Sequence, residues 1–316
     1  MDNKVIIIFI FLLLISTNAN AFYFNTDRQK KIIGPLLTKA SQINEIQNFS
    51  NAFGAAPNKP SDITDYLNGN SNEMLPVIGI DKLLFDSDTG MFHHDVSLIV
   101  DAIKQSVATK TEILFLIDEP LWTVRKSCLK NKHDACYDIE NRYAATLSTM
   151  RVVGQLLRKH FPGSGVLHIE SWAELVFQKN EFPNEKVIML DEAEYLGFDC
   201  YGNFYSCGSE EYGYYSHLEY GSLVWDTMQD LELANPIGRK MFIVAGAFLA
   251  ENYFSHPEEI THLVLIYTRL LDNVEMIGGL GIFLWGDFEE NGTIFYGARS
   301  NEKVRDFINS TFKSRK

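Results

Sequence analysis

The chain has 316 residues, a formal net charge of −13, 46% hydrophobic and 13% aromatic residues. A chain of this length buries enough core to fold without disulfides or metals, and its 22 Phe, 14 Tyr and 4 Trp exclude a disordered chain. The acidic excess excludes a binder of phosphate backbones or of anionic membrane surfaces, both of which need basic patches.

Lys4 precedes an apolar run over residues 5–15, and the small residues Ala19-Asn20-Ala21 follow it. The run is shorter than the ~20 residues of a membrane-spanning helix. The pattern is that of an export signal cleaved after Ala21. The expectation is a single domain over residues 22–316, secreted or periplasmic, with no membrane segment once the signal is removed. In an oxidising compartment, Cys128 with Cys136 and Cys200 with Cys207 would close two short disulfide loops.

Residues 27–47 read as a helix, and residues 51–72 as a loop with a short helix. From Pro76 onward, short apolar runs alternate with amphipathic stretches. The runs are 77–81, 112–119, 166–172, 195–201, 241–248 and 280–287. Helical stretches at 95–107, 139–160, 223–233 and 257–272 fill the gaps. Residues 186–190 are either a further strand or the approach to Tyr195. Strand alternating with helix implies a parallel sheet. No glycine-rich turn follows residues 77–81, as an open doubly wound sheet would usually show. The expected fold is α/β, a (β/α)8 TIM-type barrel, incomplete or variant because six strands are plain and a full barrel has eight.

Read with a period of two, the strands put an apolar face toward helices and a second face inward. Gly79 and Asp81 share that second face, as do His168, Glu170 and Trp172, then Gly197, Asp199 and Tyr201, then Gly281, Phe283, Trp285 and Asp287. Carboxylates therefore gather at the carboxyl ends: Asp81, Asp118 with Glu119, Glu170, Asp199 and Asp287. Converging acids repel one another and lose hydration, a cost usually tolerated for function. Glu119, at a strand end beside Trp122, has the setting of a general acid. Glycosidic cleavage needs such an acid and a second carboxylate. Trp122, Trp172, Tyr201 and Trp285 at strand ends suit stacking on sugar rings.

Ile117-Asp118-Glu119-Pro120 resembles the Asn-Glu-Pro end of the fourth strand in the clan of retaining (β/α)8 glycoside hydrolases. The resemblance spans roughly residues 76–288. It includes the Gly-x-Asp-x-Tyr pattern of 197–201 and the final strand leading to Trp285. It implies that Glu119 is the acid/base, that Asp118 replaces an Asn contacting the sugar 2-hydroxyl, and that Trp285 floors the sugar subsite. The clan's seventh-strand nucleophile has no counterpart in residues 241–248; Glu251 follows three residues later. Asp199, Glu170 and Asp287 are the candidates for the second carboxylate, with Asp118, Trp122, Trp172, Tyr201, Trp285 and Asp81 as substrate contacts. The Asp-x-x-Asp-x-Asp-x-Glu spacing of chitinase-like barrels is absent.

The leading reading is a secreted glycoside hydrolase-like enzyme acting on an oligo- or polysaccharide, with no cofactor, no metal and no nucleic-acid partner. Two alternatives stay open: a barrel that binds glycans without cleaving them, and a metal-dependent hydrolase using His168 with the rim acids. The sugar, its linkage and the oligomeric state are not legible.

Overall fold

The computed structural model describes residues 30–70, 74–86, 91–93, 95–107, 112–131, 138–201, 220–234, 239–250, 254, 256–290 and 292–316. The expected export signal lies outside these residues. Among the described residues, no helix is long and apolar enough to cross a membrane.

Eight parallel strands form a nearly closed barrel. In chain order they are β1 (Ile32–Pro35), β2 (Ala52–Ala55), β3 (Leu75–Gly79), β4 (Leu114–Asp118), β5 (Gly165–Ser171), β6 (Tyr195–Asp199), β7 (Lys240–Gly246) and β8 (Ile277–Phe283). From β2 to β8 each strand pairs with the next in sequence, and β8 pairs with β1. The seam between β1 and β2 has no regular ladder. Asn51 bridges it: its backbone N–H donates to Ile33 O at 3.1 Å, its side-chain oxygen accepts from Ile33 N at 2.7 Å, and its amide donates to Lys31 O at 2.7 Å. Thr38 N also donates to Gly54 O at 2.8 Å. The backbones approach so closely here that a Cβ on Gly34 would sit 2.1 Å from Ala52 O, which only glycine permits.

The helices are α1 (Ile43–Ile46), α2 (Asp62–Gly69), α3 (Asp81–Leu84), α4 (Val96–Ser106), α5 (Pro120–Asn131), α6 (Ile139–His160), α7 (Trp172–Glu181), α8 (Tyr220–Leu233), α9 (Pro257–Asn273) and α10 (Glu302–Lys313). Phe53, Ile78, Phe115, Ile117, Leu196, Phe198, Ile243 and Ile282 face outward and are buried among helix residues such as Met150, Leu223 and Val264. Leu75, Val77, Leu114, Leu116, Leu167, Ile169, Tyr195, Phe242 and Val244 fill the interior as a second, separate cluster. Layers of this kind make a barrel interior a packed core rather than a pore. A small antiparallel sheet of Phe248–Leu249, Thr293–Gly297 and Phe288–Glu290 follows the ends of β7 and β8.

The two strands that sequence reading left unplaced are β1 and β2, both in the N-terminal third. Of the helix expected over residues 27–47, the described part, residues 30–47, is not one continuous helix. The spacing of Ile32, Ile33, Leu36 and Leu37 imitates a helical stripe, but Gly34-Pro35 lies in its middle, and an interior proline costs a helix about 3 kcal/mol. The chain instead makes β1, a 3-10 turn at Ala40–Gln42 and the short α1. Residues 186–190 are not a strand either. Their amides are taken by side chains rather than a ladder, Ile188 N donating to Gln178 Oε1 at 2.6 Å and Leu190 N to His168 Nδ1 at 3.1 Å.

The phase of β5 is the reverse of the expected one. Leu167 and Ile169 face the interior, whereas His168 and Glu170 point outward, both fully buried. A strand buried on both faces carries no hydropathy contrast to set its phase. Polar residues can occupy the outer face because the helix layer supplies their partners.

Candidate active site

A cleft of about 240 Å³ opens at the carboxyl end of the barrel. Leu116, Ile169 and Val244, the uppermost aliphatic side chains of the interior, form its floor. Four carboxylates line it, those of Asp81, Asp118, Glu119 and Asp199. So do Tyr201, Phe283 and Phe288, and the ammonium-bearing Lys82 and Lys126.

Asp118 ends β4 and follows Leu114 and Leu116 inward by the period of two. Strict alternation would send Glu119 to the opposite face. Glu119 instead adopts a left-handed backbone conformation, φ 46°, and lines the same cleft as Asp118. For a residue other than glycine this costs about 1–3 kcal/mol and persists only where the surroundings impose it. Here Glu119 N donates to Ile169 O at 2.8 Å, and Glu119 O accepts from Thr123 N at 2.9 Å. Lys126, two turns along α5, brings its Nζ to 3.4 Å from Glu119 Oε2. Asp199 ends β6 beside Val244 of β7. Asp81 opens α3, immediately past β3.

Proton affinity is raised at Asp81, Asp118, Asp199 and Tyr201. Burial lifts Asp81 to about 6, against the pull of its own and Lys82's backbone amides and of the Lys82 ammonium. Asp118 lies well above the usual carboxylate range, first through burial and then through the neighbouring charges of Asp81, Glu119, Asp199 and Glu170. Protein surrounds Asp118, but its carboxylate faces the open cleft, so solvent reaches it from that side. Asp199 is likewise pushed well up by burial and by Glu119, while a hydrogen bond from Tyr201 and the charge of Lys126 oppose the shift. Tyr201 is itself raised by burial and by Asp199, and stacks on Phe283 with centroids 5.1 Å apart. Crowded acids with raised affinity and an accessible face can exchange protons with a ligand.

The structure does not bring every expected residue to the cleft. Glu170 is fully buried behind it: Oε2 accepts from Leu121 N at 2.9 Å, and Oε1 from Trp122 N at 3.1 Å and Ser171 N at 3.0 Å. It caps the start of α5. Asp287 lies outside the cleft lining, its Oδ1 accepting from Gly297 N at 3.0 Å and Ser300 Oγ at 2.6 Å, which fixes the small sheet to the turn after it. Trp285 is 2% exposed in the core, its indole donating to Glu45 Oε1 at 2.7 Å and its ring 5.1 Å from Phe49. Trp172 is equally buried. Trp122 stacks on Phe177 and lies under the Lys126 ammonium rather than in the cleft.

Phe283, inward-facing on β8, and Phe288 supply the aromatic wall. Alternation along β8 puts Phe283 inward, whereas Trp285, which the resemblance makes the floor of the sugar subsite, lies in the core. Lys126 was legible only as a residue seven positions after Glu119 on a helix. On β7 the inward Val244 lines the cleft, and no acid of that strand does. Glu251 lies outside the described residues, as do Cys136 and Cys207. Cys128 is a free, buried thiol, not the disulfide partner expected, with Arg142 Nη1 2.7 Å from its sulfur. His168 does not reach the rim. Among the described residues, no group of three or more His, Cys, Asp and Glu side chains is arranged to hold a metal ion.

No family profile and no curated protein sequence matches the chain. Its architecture does have counterparts. A GH113 β-1,4-mannanase superimposes with a TM-score of 0.53 at 12% identity, covering 90% of this chain and 99% of that one. The chain has the fold of (β/α)8-barrel glycoside hydrolases. A GH128 endo-β-1,3-glucanase from Sorangium cellulosum matches this glycosidase-like barrel with a TM-score of 0.50 at 8% identity, over 90% of this chain and 98% of that one. The β-glucuronidase of Ruminococcus gnavus matches with a TM-score of 0.56 at 12% identity, and there the barrel spans only half of the longer chain.

Proposed function

We propose that the cleft binds a saccharide and cleaves its glycosidic bond by carboxylate acid/base catalysis. The observation that carries this reading is the convergence of Asp81, Asp118, Glu119 and Asp199 in one cleft walled by Tyr201, Phe283 and Phe288. Glu119 is the proton donor to the leaving oxygen. It is held over the cleft by its left-handed backbone, and Lys126 stabilises the carboxylate left after the proton departs. Asp199, oriented by the Tyr201 hydroxyl, is the second carboxylate. Asp118 and Asp81 accept hydrogen bonds from sugar hydroxyls, and the aromatic wall packs against the apolar face of a ring.

The test is Glu119→Gln assayed against a panel of mannan, β-1,3-glucan and aryl β-glycosides. Turnover of a substrate accepted by the unaltered protein is expected to fall about 10²–10⁴-fold, the range for loss of a general acid. Unchanged turnover rejects the assignment. The apolar Val244 on β7 favours a second reading, glycan binding without cleavage. Calorimetric binding of a glycan with no reducing ends released would support that reading instead.

A further inference from the structure

Glu119 stands at the junction of β4 and α5 with a backbone conformation that glutamate rarely adopts. Something must hold it there. Its N–H and C=O are engaged by Ile169 and Thr123, but the next two amides, of Leu121 and Trp122, point out of the first turn of α5, where no helical carbonyl can receive them. Pro120, between Glu119 and Leu121, has no N–H to offer. Both amides end on the two oxygens of Glu170, which a third amide, Ser171 N, completes. His168, next but one on β5, accepts from Leu190 N through Nδ1; its Nε2 lies 3.5 Å from Glu170 Oε2 without a hydrogen bond to it. Glu170 therefore meets donors on both oxygens and is shut off from the cleft.

We infer that Glu170 is a positioning residue: by clamping the first turn of α5 it fixes the conformation of Glu119 and hence the direction of the catalytic carboxylate. The role rests on the proposed acid function of Glu119, but the clamp itself does not. A carboxylate suits it because both oxygens accept. A carboxamide of the same shape has only one acceptor oxygen, and its NH2 must oppose one of the amides that Glu170 receives.

The experiment is Glu170→Gln, read in two ways. Amide hydrogen exchange at Glu119, Leu121, Trp122 and Thr123 is expected to accelerate roughly tenfold or more while β2 and β7 stay protected, as follows from unpairing a buried donor. Phenyl glycosides, which need protonation of the leaving oxygen, should lose about 100-fold in kcat/KM, whereas 2,4-dinitrophenyl glycosides of the same sugar should change by less than about threefold. If Glu170→Gln does not fold, replacing the Leu121 amide by an ester removes one donor and leaves the Glu170 side chain unaltered. Unchanged exchange in residues 119–123 of a folded variant overturns the inference. Equal loss on both leaving groups overturns it too, since that marks general damage. If the unaltered protein cleaves no glycoside, the catalytic reading fails, and the exchange measurement still decides whether Glu170 holds the Glu119 backbone.

Discussion

Two groups of acids lie back to back across β4 and β5. In front, Asp81, Asp118, Glu119 and Asp199 open on the cleft, and two lysines and a tyrosine answer their charge only in part. Behind, Glu170 and Glu174 are fully buried, and the protein itself supplies their donors. Glu174 receives Arg125 Nε at 2.5 Å, Tyr143 Oη at 2.5 Å and Gln178 Nε2 at 3.1 Å. Arg125, 5% exposed, also reaches Glu181 at 2.8 Å and lies 4.8 Å from the Phe177 ring. Residue type does not separate the two groups. Setting does: the rear acids have spent their acceptors inside the fold, whereas those in front line an open cleft.

The comparison breaks most visibly at the rear. Arg125→Ala leaves Glu174 buried without its cation and should cost about 3–5 kcal/mol of stability in urea unfolding, the range for removing one partner of a buried ion pair. A loss near the ~0–1 kcal/mol of a surface pair would place the rear group with ordinary surface charges.

In front, Asp81 responds to pH in the opposite sense from a salt-bridged acid. Asp81 has a folded-state pKa near 6, above its ordinary value of 3.8. Folding therefore favours its protonated form. That stability is fully present below about pH 4 and is lost as pH rises through about 6. It amounts to about 3 kcal/mol. Asp81→Asn should flatten this part of a Tm–pH curve, and an unaltered slope between pH 4 and 6 would remove Asp81 from the acids of raised proton affinity.

The smallest effect should come from Asp118→Asn. At pH 8 it removes one like charge from the cluster and is expected to stabilise the fold by about 1 kcal/mol while weakening ligand binding. Destabilisation in chemical unfolding would show that Asp118 serves the fold as Glu170 does.

Much of this cleft was legible in the chain. Gly79 with Asp81 and Gly197 with Asp199 and Tyr201 fell on the inward face as alternation demanded. The Asp-Glu-Pro run does end the fourth strand. What was not legible has specific causes. Glu170 shares its strand with His168, and β5 is buried on both sides, so hydropathy gave no phase. Trp285 and Asp287 lie beyond the end of β8, where alternation has stopped applying. The strands Ile-Ile-Gly-Pro and Ala-Phe-Gly-Ala are four residues each, too short for a period of two to show.

By itself, the sequence determined the class of fold, because alternation of apolar runs with amphipathic stretches admits few ways to bury both faces of a parallel sheet. It also determined that acids collect at the carboxyl rim. Tertiary structure alone decided which acids face a ligand. That choice depends on which donors other segments bring to each carboxylate. The amides of α5 reach Glu170 from 49 and 48 residues away in the chain, a separation no local pattern records.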